Sequence, residues 1–295
     1  MTSTSKTIIF FGTEEFSLTA LDGLIEAGYT IAAVVTKPDS KKGRGQHLTP
    51  PSVKVLANRH NIPVWQPQKL IDIREDIIKL GEVAGVLVSY GKIIPQSIIN
   101  LFTPGIVNVH PSLLPKYRGP SPIESAIKNG DATTGVSIMQ LAAKMDAGPV
   151  YTVKQYPLTG TETQPELYHT LANMGADLLL ETLPSILDNS LHPTEQDENQ
   201  ATYCQLLQKD DAQLDLGRLS AKKAEQIIRA HLGFPKSKLM LGDYTLIVTK
   251  AHVSATQKTP LDFKCQDGAY LSVDELIAPS GKHMNAEAFL RGYAA

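Results

Sequence analysis

Along the first ~150 positions, apolar residues gather in short, unbroken runs separated by amphipathic segments. Thr7–Phe11, Thr30–Thr36 and Val83–Val88 are compact and rich in β-branched side chains, the pattern of strands buried on both faces. Between them, Ser17–Ala27, Ser52–His60 and Arg74–Leu80 carry apolar residues at helical spacing. Strand–helix–strand alternation predicts an α/β architecture, a mostly parallel sheet flanked by helices. In such sheets ligands bind beyond the carboxyl ends of the strands.

After ~150 the rhythm changes. Glu162–Leu187 reads as a helical region with Leu167, Leu171, Leu178 and Leu179 as its apolar stripe. Asp188–Gln200 (DNSLHPTEQDENQ) is polar and acidic, with almost no large apolar side chain, which predicts a linker. Ser220–Leu232 reads as one amphipathic helix, and Lys238–Ala295 alternates short strand-like segments with turn residues, a pattern expected of a small β-barrel. The predicted fold is therefore a Rossmann-like parallel sheet followed by a small OB-like β-barrel. Its boundaries are a first domain over 1–189, a linker over 190–205 and a second domain over 206–295.

Composition narrows the classes. The 295 residues are 42% hydrophobic with a formal charge of −2, which excludes disordered and collagen-like chains. Cys204 and Cys265 make neither a metal-type spacing nor a disulfide framework, so a reducing, cytoplasmic setting is expected. No run approaches the ~20 apolar residues of a membrane span, and a monomer away from membranes is expected. Charge is unevenly placed, however. Lys37, Lys41, Lys42, Arg44, Lys54 and Arg59 stand against the single Asp39 within Lys37–Arg59. Such a segment can meet phosphates even in a chain of near-zero net charge, and Gly43 and Gly45 are expected to make it mobile. Lys222, Lys223, Arg229, Lys236 and Lys238 add a second, modest basic face.

Several familiar chemistries are absent. The turn Gly12-Thr13-Glu14-Glu15 has one glycine and two acids where a dinucleotide fingerprint needs three glycines. Gly91-Lys92 lacks the upstream glycine and the hydroxyl of a phosphate loop. The informative stretch is Gly105–Pro122, GIVNVHPSLLPKYRGPSP. On a strand, Asn108 and His110 share one face, and Pro111 keeps His110 out of helix. An amide and a protonated imidazole side by side are two donors for an oxyanion. Read alone, the pair is equally a strand-ending Asn and a satisfied core His. A carboxylate is needed to hold and charge the imidazole near neutral pH, because a free His titrates near ~6.5. Asp146 of Met145-Asp146-Ala147-Gly148-Pro149 is the candidate.

N-V-H-P-S-L-L-P-K-Y-R-G-P-S-P-I, followed by M-D-A-G some 35 residues later, resembles the folate-dependent formyltransferase family. That resemblance implies that Asn108, His110 and Asp146 are the catalytic constellation. It also implies that Ser112, Leu113, Leu114 and Pro115 belong to a 10-formyltetrahydrofolate site, with the strand end at Val88, Tyr90 and Gly91 lining the pterin, and that no metal takes part. The segment TKPDSKKGRG followed by PSVKVLA is similar to the basic loop by which the methionyl-tRNA-specific members enter the acceptor arm of tRNA. Carried over, Lys37, Lys41, Lys42 and Arg44 meet initiator tRNA, with Lys222, Lys223 and Arg229 as further contacts. An amino-sugar nucleotide acceptor, hydrolysis of the formyl donor, and a non-catalytic RNA-binding role stay open on the residues alone.

Overall fold

A computed structural model describes residues 6–42 and 45–293. It divides into two compact units, one formed by Met1–Pro120, Gly135–Tyr156 and Tyr168–Tyr203, the other by Ser121–Thr134, Pro157–Leu167 and Cys204–Ala295.

The first unit is built on β1 (Thr7–Gly12), β2 (Ile31–Val35), β5 (Val64–Trp65), β6 (Val83–Val88), β7 (Ile106–His110), β8 (Thr133–Gln140) and β9 (Val150–Pro157), with the ribbon β3 (Ser40–Lys42) and β4 (His47–Thr49) between β2 and β5. The seven-stranded sheet runs in the order β5-β2-β1-β6-β7-β8-β9. Its first five strands pair in parallel, and β8 is antiparallel to β7. Every residue of Val83–Val88 and of Ile106–His110 is buried, which explains why Val83–Val88 reads as an apolar run without polar alternation. The connecting helices in this unit are α1 (Leu18–Glu26), α2 (Ser52–Arg59), α3 (Arg74–Lys79) and α4 (Gln96–Ile99). α1 and α2 each bury one apolar face, Ala20, Leu21 and Leu24 on the first and Val53 and Ala57 on the second. One core joins Ile9, Phe11, Val35, Ile77, Leu87, Ile98 and Ile106. The Rossmann-like architecture expected from the apolar pattern is the one observed.

Strand order reverses beside β1, since β2 lies on one side and β6 on the other. That switch point opens a crevice at the carboxyl ends of β1 and β6. There the Ser89 carbonyl accepts the backbone N–H groups of Thr13 and Glu14, and Thr13 Oγ1 donates to the Tyr90 carbonyl at 2.9 Å.

Two segments are paired more extensively than their composition suggests. The basic segment contains a paired two-stranded ribbon, with Lys41 opposite Leu48 and Lys42 opposite His47. Arg44 and Gly43 lie outside the described residues. The acidic 188–200 stretch is also tied down: Thr194 and Val150 exchange backbone hydrogen bonds of 2.8 Å. Its polarity marks a hydrogen-bonded surface strip.

The second unit contains α5 (Pro122–Asn129), α7 (Ala221–Ala230), α8 (Ala286–Tyr293) and five strands, while α6 (Gln164–Leu187) begins in it and continues into the first unit. The strands β10 (Lys238–Leu241), β11 (Tyr244–Ser254), β12 (Asp262–Lys264), β13 (Tyr270–Ile277) and β14 (His283–Asn285) form one antiparallel sheet. Leu246, Val248, Leu271, Leu276 and Phe289 form its core with Ala224 and Ile228 of α7. Among the described residues, no helix is long and apolar enough to cross a membrane.

Candidate active site

Strand β7 brings the two polar groups of IVNVH to one face, as its period of two requires. Asn108 stands opposite Leu87 and Met139, and His110 opposite Ser137. Both are almost fully buried, at 4% and 5% exposure. Among the described residues none hydrogen-bonds the Asn108 side-chain amide. A buried amide without a protein partner carries a desolvation cost, which a ligand oxygen or a water can relieve.

His110 is held by the chain that follows it. Its Nε2 lies 3.0 Å from the Tyr117 carbonyl, and because a carbonyl only accepts, Nε2 carries the hydrogen. Nδ1 is therefore the nitrogen that faces Asp146, whose Oδ2 is 3.9 Å away. That gap is longer than a direct hydrogen bond. Asp146 Oδ2 instead accepts the backbone N–H of Gly119 at 2.8 Å. Tyr117-Arg118-Gly119 thus touches both ionisable groups through its backbone.

Asp146 itself adopts a left-handed backbone, with φ of +47°, a conformation that asparagine and aspartate tolerate better than most residues. Its carbonyl accepts a hydrogen bond from Gln196 Nε2 at 2.8 Å, and the same amide donates to the Gly148 carbonyl at 2.7 Å. Gly148 is required here, because a Cβ at this position would collide with the Gln140 carbonyl.

The turn after His110 is equally braced. Ser137 Oγ donates to the Ser112 carbonyl at 2.7 Å and accepts the Leu114 N–H at 3.0 Å, while Ser112 Oγ donates to the Lys116 carbonyl. A cleft of about 260 Å³ beside this turn is lined by Leu114, Pro115, Val150, Thr152, Thr194 and Gln196 among others. A larger depression of about 630 Å³, lined by Leu18, Asp22, Val55, Arg59, Asp177 and Leu180 among others, holds none of the residues expected in catalysis or folate binding.

At the switch point, Val88 and Tyr90 are buried, and the Tyr90 ring packs edge-on against Phe11. Burial pushes the Tyr90 hydroxyl up to about 12. Its carbonyl accepts the Thr13 hydroxyl at 2.9 Å. Gly91 has φ of +68°, and the Lys37 ammonium lies where a Cβ on Gly91 would stand. Lys37 therefore packs on the strand end.

The basic residues differ in what they touch. Lys41 is exposed, and none of the described residues forms an ion pair with it. Lys54, by contrast, is held by both Asp39 oxygens at 2.8 and 2.9 Å and by Gln66, and these hydrogen bonds hold the Asp39 carboxyl below its usual range. In the second unit Lys222 sits 3.5 Å from Glu225. Lys223 donates to the Lys128 carbonyl and to Asn129. Arg229 donates to Glu225 and, at 2.7 Å, to the Glu162 carbonyl.

Sequence reasoning missed Arg118 and Gln196. Arg118 is wholly buried, and it donates Nε to Gln196 Oε1 at 3.0 Å while a second nitrogen meets Glu198 at 2.8 Å. The available signal was a basic residue inside an otherwise apolar-and-turn motif, KYRGP. Its acidic and amide partners lie about 80 residues on, too far for local pattern to join them.

No group of His, Cys, Asp and Glu that could hold a metal ion occurs among the described residues. The formyl transferase domain model matches residues 5–183. The methionyl-tRNA formyltransferase of Lactobacillus johnsonii is 38% identical over 97% of this chain and 95% of its own length. That of Pseudomonas putida is 37% identical over 94% and 93%. Among solved structures, an N-formyltransferase from Helicobacter canadensis in complex with folinic acid and dTDP-3-aminofucose matches with a TM-score of 0.69 at 17% identity, over 91% of this chain and 98% of that one. HypX from Aquifex aeolicus, in complex with tetrahydrofolic acid, matches with a TM-score of 0.67 at 15% identity, over 97% and 47%. These last two speak for the fold. By the domain match and its near-full-length relatives, the chain belongs to the formyl transferase family, alongside the methionyl-tRNA formyltransferases.

Proposed function

We propose that this protein transfers the formyl group of 10-formyltetrahydrofolate to the α-amino group of methionine carried by initiator tRNA, in the cytoplasm. The observation that carries the reading is the pair Asn108 and His110 on one buried face of β7, with the Asp146 carboxylate 3.9 Å from His110 Nδ1. It occurs in a chain whose full-length relatives bear that activity in their names.

In this mechanism the amine attacks the formyl carbon, forming a C–N bond and a tetrahedral oxyanion. The unpaired Asn108 amide and His110, protonated at Nδ1, donate to that oxygen. Preorganised donors in a water-poor site each supply about 3 kcal/mol of transition-state stabilisation. The Asp146 carboxylate, 3.9 Å from His110 Nδ1, takes up the proton the amine loses. The bond from the formyl carbon to the folate nitrogen then breaks, and that nitrogen receives the proton. No covalent enzyme intermediate is required, because the amine is itself the nucleophile.

The switch-point crevice is the proposed pterin site, with Val88, Tyr90 and Gly91 presenting backbone groups and Ser112-Leu113-Leu114-Pro115 forming its opposite wall. Lys41 and Lys42 of the ribbon, with Arg44 beyond the described residues, are the proposed phosphate contacts, and Lys37 braces the ribbon base against Gly91. Lys222 is the most accessible cation of the α7 group, whereas Lys223 and Arg229 would have to leave internal partners to reach RNA.

The test is a single-turnover assay with labelled formyl donor and methionyl-initiator tRNA, run against an amino-sugar nucleotide and buffer alone. Rapid label transfer to the tRNA is expected. Asn108→Ala should lower the rate by about 10²–10³-fold, with His110→Ala and Asp146→Asn at least as damaging. Folded variants of all three with near-normal rates would overturn the reading.

A further inference from the structure

The acidic strip after α6 behaves as one side of a zipper. Thr194 pairs with Val150, Gln196 bonds the carbonyls of Gly148 and Asp146, and Glu198 meets Lys144 at 2.6 Å. Successive residues of 194–198 therefore grip successive residues of 144–150, the loop that carries Asp146. Gln196 is at its centre. Both hydrogens of its amide go to main-chain carbonyls of the loop, and its oxygen accepts from Arg118.

Arg118 completes the frame from the other side. Its side chain has no exposure, it reaches Gln196, Glu198 and the Tyr203 hydroxyl, and its backbone neighbours hold His110 and the Asp146 carboxylate. Glu198, bonded by Arg118 and Lys144, sits far down the carboxylate range at about 2. It is thus ionised at any pH at which the enzyme works.

From this geometry we infer that Gln196, oriented by Arg118, is a positioning residue for Asp146. It holds the left-handed turn that keeps the carboxylate 3.9 Å from His110 Nδ1, and the acidic strip is a wall of the active site. The inference rests on the proposed role of Asp146. A left-handed non-glycine residue persists only where its surroundings over-determine it. Two amide hydrogen bonds to the turn, one of them to the carbonyl of Asp146 itself, do so here. A misplacement on the order of 1 Å costs about a hundredfold in rate, so an unclamped Asp146 loop loses turnover before it loses binding.

The deciding variant is Gln196→Glu in the full chain. It keeps the size and the Arg118 contact but turns an acceptor toward two carbonyls. We expect kcat for formylation to fall by at least about tenfold with KM for both substrates within about twofold. In an Asp146→Asn background the same substitution should cause no further loss, because it acts through Asp146. Gln196→Ala, which leaves the carbonyls to water, should give a smaller loss with the same pattern, and it serves if the Glu variant does not fold. Unchanged kcat, an equal loss in both backgrounds, or failure of both variants to fold would each overturn the inference. Full activity of Asp146→Asn alone would instead overturn the catalytic reading, so the two failures are distinguishable.

Discussion

The ribbon β3–β4 and the helix α7 are both basic in sequence, and they put their charge to opposite uses. On the ribbon, Lys41 stands in solvent opposite an exposed Leu48. On α7, Lys223 and Arg229 turn inward, onto the end of α5 and onto Glu225 and the Glu162 carbonyl. The difference has a physical origin. A two-stranded ribbon has no interior, so Lys41 has nothing to bond but water or a ligand. α7 buries Ala221, Ala224, Ile227 and Ile228, and its long cationic side chains leave their stems along the packed faces. Counting Lys and Arg along a chain gives a net charge, whereas affinity for RNA depends on which cations remain unpaired.

The comparison can be broken most forcefully at Arg229. Its side chain is only 12% exposed and its partner Glu225 14%, so Arg229→Met leaves a largely buried carboxylate with only Lys222, 3.5 Å away, as a charge partner. A loss of about 3 kcal/mol is expected, read by urea unfolding, with tRNA affinity per folded molecule little changed. If affinity falls and stability does not, α7 belongs with the ribbon as an RNA surface.

A second test uses the residue that ends α7. His231 is 2% exposed, and neither ring nitrogen has a partner among the described residues. Burial, and then the charge of Lys128, push it down to about 4. The unfolded chain binds this proton near ~6.5, so between those values the unfolded state holds more protons than the folded one. Stability is therefore complete above ~6.5 and declines as pH falls toward 4, by about 2 kcal/mol. Urea melts from pH 7.5 to 4.5 should show that decline, and His231→Leu should flatten it.

On the ribbon the expected changes are in binding. Lys41→Ala should leave the unfolding midpoint within about 0.5 kcal/mol of the parent. It should weaken tRNA binding and lower the slope of log affinity against log salt by about 1, measured by titration at several salt concentrations. An unchanged slope would mean that Lys41 meets no phosphate. The smallest effect belongs to Lys222→Ala. It breaks only an exposed 3.5 Å pair with Glu225, and about 0.5 kcal/mol or less of stability is at stake.

Much of the parallel sheet was legible because burial on both faces writes itself into composition. Val83–Val88 was read with its observed ends, and Thr30–Thr36 overran Ile31–Val35 by one residue on each side. The two-residue strand β5 and the three-residue strands of the ribbon were not legible: such segments are too short to show a period. The polar strip 188–200 misled for another reason. Hydrophilic composition signals the lack of an apolar core, but it does not say whether the polar groups meet water or other polar groups.

By itself the sequence determined the long apolar strands and the amphipathic helices between them, the shared face of Asn108 and His110, and the motif context that selects the family. Each of these follows from local periodicity or from residues close together in the chain. Only the tertiary structure decided which nitrogen of His110 faces Asp146, that Lys223 and Arg229 are engaged internally, and that Gln196 grips the Asp146 loop from 50 residues away. Those outcomes depend on hydrogen bonds between distant segments, whose partners are chosen by where the packed sheet and helices leave unpaired donors and acceptors.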